Sequence, residues 1–85
     1  MQTEKNNQTN IETVIRQTKI RIAHLEREQS GIEVLIKVSS FLENFGEGYD
    51  IVKLLKTELY QNKVKCATAN DILKNAVANL NELKS

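Results

Sequence analysis

The sequence predicts an all-α protein: two long helices in an antiparallel hairpin, with two hairpins dimerising into a four-helix bundle. Three observations carry that expectation. The 85-residue chain has no proline and only three glycines. Helix breakers are therefore almost absent, and so are the turn residues on which small β domains depend. Two of the glycines fall together in Phe45-Gly46-Glu47-Gly48-Tyr49-Asp50, the clearest turn in the chain. After that turn, Val52, Leu55, Leu59, Asn62, Cys66, Ala69, Leu73, Ala76, Leu80 and Leu83 follow one another at alternating steps of three and four, and only Asn62 is polar. A 3.5-residue apolar repeat is the seam of a coiled coil or a bundle helix.

Met1 to Gln8 is polar and rich in amides, and reads as a flexible tail. Residues 9–85 then form one helical domain with its turn at 45–50. The first helix is expected to begin near Thr9, which has capping-box spacing to Glu12. Its apolar residues are Ile11, Val14, Ile15, Ile20, Ile22, Leu25, Ile32, Leu35, Ile36, Val38, Leu42 and Phe45. The stripe they make is wider than a two-stranded seam, which implies more than one neighbour. Ser30-Gly31 interrupts the pattern, and Ser30 with Glu33 has the spacing of a second capping box. Leu25, Ile32, Leu35 and Leu42 nevertheless keep their phase across the glycine, which favours one continuous helix. In the second half, Thr68 with Asp71 marks a competing break near Cys66. If both halves broke, a compact three- or four-helix monomeric bundle would replace the hairpin dimer.

At the turn, Gly46 suits the left-handed C′ position that ends many helices. Asp50 suits the start of the next helix, where a carboxylate meets the positive end of the dipole. Each helix of about 35 residues would be about 52 Å long at ~1.5 Å per residue. A hairpin of that shape covers one side of each helix only, so the wide first-half stripe needs a partner. A homodimer supplies one with the least machinery.

Composition narrows the function classes. Twelve basic against eleven acidic residues leave a net charge of +1, too little for a general electrostatic nucleic-acid binder. The start of the chain lacks the apolar core of a secretory signal, and no run approaches the ~20 apolar residues of a membrane helix. A single cysteine allows no internal disulfide, which fits a reducing compartment. The expected setting is cytoplasmic.

Neither cofactor nor metal is expected, because Cys66 and His24 alone cannot ligate zinc within one chain. His24 has no identifiable nucleophile or orienting carboxylate and reads as a helix-flank residue. Cys66, on the seam, reads as a small packing hydrophobe. Catalysis therefore has no nominated residue. The expected function is a small non-enzymatic interaction module of the adaptor, inhibitor, immunity or small-chaperone type, acting on a protein partner through an amphipathic helix face. Its candidate contact residues are Ile20, Ile22, Leu25, Ile32, Leu35, Phe45 and Tyr49. The alternative is a dimeric nucleic-acid-binding or regulatory protein using Arg16, Lys19, Arg21 and Arg27, although Glu26 and Glu28 sit beside them and stacking aromatics are absent. Asn62 has two readings of equal weight: a polar seam residue that fixes register, or a place where the seam widens.

Overall fold

The computed structural model describes the backbone of residues 2–84 and the side chains of residues 7–84. Two helices, α1 (Gln2–Glu43) and α2 (Tyr49–Lys84), pack against each other along their length. The hairpin is a rod of 67 × 15 × 14 Å.

Helix α1 runs unbroken through Ser30-Gly31. A Cβ at Gly31 would meet nothing within 4 Å, so this glycine marks neither a turn nor a close approach. The helix also starts at Gln2 rather than near Thr9. No glycine or proline interrupts residues 2–8. Thr9 lies inside the helix, where its carbonyl accepts from Thr13 Oγ1 at 3.0 Å, and Gln8 Nε2 donates to Glu12 Oε1 at 3.2 Å. The box at Thr68 is likewise spent inside a helix, its hydroxyl donating to the Val64 carbonyl at 3.0 Å.

The connection is a Schellman ending. Gly46, at φ 75°, donates its N–H to the Glu43 carbonyl at 3.0 Å, and Glu47 donates to Leu42 at 3.1 Å. Tyr49 reaches back and its hydroxyl donates to the Glu43 carbonyl at 3.1 Å. Two free carbonyls at the end of α1 are thereby satisfied. Gly48 has φ 82°, and its carbonyl accepts the first bond of α2 from Val52 N–H at 2.9 Å. Asp50 follows in the first turn, as the dipole favours.

The two glycines are not equivalent. A Cβ at Gly48 would lie 3.0 Å from the Ser39 carbonyl oxygen and 3.1 Å from Leu42 Cβ, whereas one at Gly46 would meet nothing within 4 Å. Gly46→Ala should therefore cost only the left-handed backbone penalty, about 1 kcal/mol. Gly48→Ala adds a backbone clash and should cost about 2 kcal/mol or more. Urea denaturation of the two variants compares them directly, and equal losses would contradict the close approach at Gly48.

The inward positions of α2 are those of its apolar repeat, from Val52 to Leu80, all buried or half-buried. The inward positions of α1 obey the same spacing: Gln8, Ile11, Ile15, Thr18, Ile22, Leu25, Gln29, Ile32, Ile36, Ser39 and Glu43. Nearly half of these are polar. Val14, Ile20, Leu35, Val38, Leu42 and Phe45, part of the wide stripe, remain exposed.

Candidate interaction surface

One polar side chain fixes the register of the hairpin. Asn62 is 4% exposed and sits on the seam of α2. Its Nδ2 donates to the Leu25 carbonyl at 3.0 Å and lies 3.4 Å from Glu28 Oε2. Its Oδ1 accepts from Cys66 Sγ at 3.7 Å. A buried amide costs free energy unless it is bonded; Cys66 lies one turn along the same helix, so the Leu25 carbonyl and Glu28 are the partners that sliding α1 against α2 would displace. Asn62 therefore holds Leu25 opposite itself, as a polar seam residue can. Gln29 and Ser39 extend the polar content of the interface on the α1 side.

With register fixed, every other position has a place. In heptad letters, α1 carries Ile15, Ile22 and Ile36 at a, with Ile11, Leu25 and Ile32 at d. Helix α2 carries Val52, Leu59 and Cys66 at a, with Leu55, Asn62 and Ala69 at d. In an antiparallel pair the g positions of both helices flank one side of the seam and the e positions the other.

The contact residues named from sequence divide accordingly. Leu25 is buried, and Ile22 and Ile32 are half-buried, all on the seam. Ile20, Leu35, Phe45 and Tyr49 are exposed. The richest exposed apolar cluster lies at the turn end. Val34, Val38, Phe41 and Phe45 recur at steps of four, three and four, on the side of α1 facing away from α2, and are 60%, 62%, 62% and 68% exposed. Phe41 and Phe45 meet edge to face with centroids 5.5 Å apart. Leu42, Tyr49, Ile51 and Leu54, near the same end of the hairpin, are also exposed. Sequence reasoning overlooked Val34 and Phe41; their spacing to Val38 and Phe45 was the available signal.

The basic residues are spread around α1. Arg16 and Arg27 lie on the outer side, while Lys19 is an e residue and Arg21 a g residue on opposite sides of the seam. Arg21 and His24 line a shallow groove of about 520 Å³ with Lys65 and Ile72. Among the described residues no three His, Cys, Asp or Glu side chains gather as a metal site would require. No helix among the described residues is long and apolar enough to cross a membrane.

No family model matches the chain, and neither curated proteins nor solved structures include a similar one. The surface must therefore be read from its own chemistry. It offers two things: an aromatic, apolar end at the turn, and a long grooved side along the g positions.

Proposed function

We propose that this chain is a non-enzymatic helical interaction module that works as a homodimer and engages a protein partner through the turn end of the hairpin. The observation that supports this reading most is the outward stripe Val34, Val38, Phe41 and Phe45, four large apolar residues that the hairpin itself leaves uncovered. Apolar clusters of this kind on a soluble-type chain are usually binding surfaces, and anchors at steps of three and four suit a helix–helix contact. Aromatic anchors supply most of the energy at such contacts. A reducing, cytoplasmic setting suits the module, since Cys66 then stays a thiol.

The test compares affinity capture by the wild type, by Phe41→Ser/Phe45→Ser and by Ile20→Ser, an exposed apolar control on the same helix. Specific partners should be lost from the double variant and kept by Ile20→Ser. Circular dichroism should show unchanged helix content in all three. An identical set of captured proteins from the double variant would overturn the assignment of the turn end.

A further inference from the structure

The g side of the hairpin carries a charge pattern in which residues of like charge share each level. Helix α1 presents Val14, Arg21, Glu28 and Leu35 in g positions, and α2 presents Ile51, Glu58, Lys65 and Ile72. Each series reads apolar, charged, oppositely charged, apolar. Across the hairpin, like faces like. Arg21 and Lys65 line one groove, Glu28 and Glu58 line the next with Lys65 at its border, and Val14 and Ile72 line a third. On the e side the same register sets Glu26 level with Lys63 and Glu33 level with Lys56, which are opposite charges. Like charges placed side by side destabilise a pair of helices, so the g side is built against the isolated hairpin while the e side is built for it.

We propose that the g side is covered by a second copy of this chain, stacked antiparallel, about a two-fold axis at the level of Leu25 and Asn62. The inference rests on the homodimer proposed above and gives it a face and a direction. Two hairpins can meet on this face in two symmetric ways. With the turns at the same end, α1 lies over the partner's α2, and every like-charge level is repeated: Arg21 over the partner's Lys65, Glu28 over the partner's Glu58. With the turns at opposite ends, α1 lies over the partner's α1 and α2 over the partner's α2. Then Arg21 meets the partner's Glu28, and Lys65 meets the partner's Glu58. Val14 meets the partner's Leu35, and Ile51 meets the partner's Ile72. The four central levels of both helices are complementary in this second arrangement, Leu42 falling over the partner's Asn7 beyond them, and the axis lies between Arg21 and Glu28 on α1 and between Glu58 and Lys65 on α2. An isologous interface must be self-complementary in this way. Because the turns point in opposite directions, the dimer displays an aromatic end at each extremity.

Sedimentation equilibrium on four chains tests both the face and the direction: the wild type, Lys65→Glu, Glu58→Lys and the double swap Lys65→Glu/Glu58→Lys. Each single change turns one like-charge level of the hairpin into an opposite-charge one, although Lys65→Glu also adds a carboxylate beside Glu28 and Glu58, so circular dichroism and thermal melts should show the helical fold kept. Each places like charges over the second copy twice per dimer, and the dimer dissociation constant should rise about tenfold or more. The double swap should return to near the wild-type value. Tightening by Lys65→Glu, which would then face the partner's Arg21, identifies the arrangement with turns at the same end and overturns the proposal. A dimer indifferent to all three changes, or a wild type that stays monomeric, also overturns it. Phe41 and Phe45 are untouched in these chains, so capture of a protein partner by the turn end is scored separately.

Discussion

Asn62→Asp should unfold the hairpin, or nearly so, at neutral pH. The substitution keeps the shape of the side chain and exchanges its donor for an oxygen. That oxygen would face the Leu25 carbonyl, now 3.0 Å from Nδ2, with the Glu28 carboxylate also close. An unpaired charge at a site 4% exposed typically costs about 3–5 kcal/mol. A domain of this size has a total stability on the order of 5–10 kcal/mol. The loss should depend on pH. Burial and the neighbouring carboxylate both raise the folded-state pKa of the introduced carboxyl above its unfolded value. The folded variant then binds more protons than the unfolded one, so stability falls as pH rises through the folded pKa and recovers as pH is lowered. Thermal melts from pH 7 down to pH 5 should show the melting temperature of the variant climbing relative to wild type. Asn62→Leu is the control. It leaves no unpaired group and should keep the helical fold while removing the bond that fixes register. If Asn62→Asp melts like the wild type across this range, the buried amide does not hold the helices together.

The second large effect is expected at Leu25. Its side chain is 4% exposed in a rod where few side chains are buried so well. Leu25→Ala should cost about 2–4 kcal/mol from lost transfer energy and an incompletely closed cavity. The backbone carbonyl that Asn62 uses would remain, so the loss reports packing alone. Val34→Ala, at an outward position 60% exposed, should by comparison stay within about 0.5 kcal/mol. Urea titration of the two variants separates seam from outer face. A similar loss at both positions would contradict the helix orientation described here.

The sequence and the structure agree where a single pattern dominates. In α2 the 3-4 repeat is almost wholly apolar, so hydropathy and heptad phase name the same residues, from Val52 to Leu80. The glycine pair likewise left little choice for the turn, since both glycines sit at positive φ. Helix α1 was less legible because its hydropathy and its phase disagree. Gln8, Thr18, Gln29, Ser39 and Glu43 face the partner helix, while Val34, Val38, Phe41 and Phe45 face away from it. Counting apolar residues merges the two sides into one wide stripe. Carrying the strict spacing of α2 back onto α1 would have separated them. The start of α1 differs from the expectation for another reason: Thr9 and Glu12 match a capping box in spacing, but an uninterrupted helix-compatible segment precedes them, and the helix begins at Gln2. For Asn62, spacing alone could not choose between fixing register and widening the seam, and its bond to the Leu25 carbonyl decides for the first.

The same division of α1 gives the account its functional content. A seam with polar residues at Gln29, Ser39 and Asn62 holds a hairpin in register with little apolar surplus. The apolar residues withheld from that seam are spent elsewhere, on the g side and at the turn end. A chain organised in this way should not remain a lone hairpin at working concentrations.

Light scattering after size exclusion, over a hundredfold range of protein concentration, tests that claim most directly. The expected mass is twice that of the 9.7 kDa chain, giving way to the single chain only on dilution. A mass of 9.7 kDa at every concentration would contradict it and leave the like-charge levels on the g side without a partner.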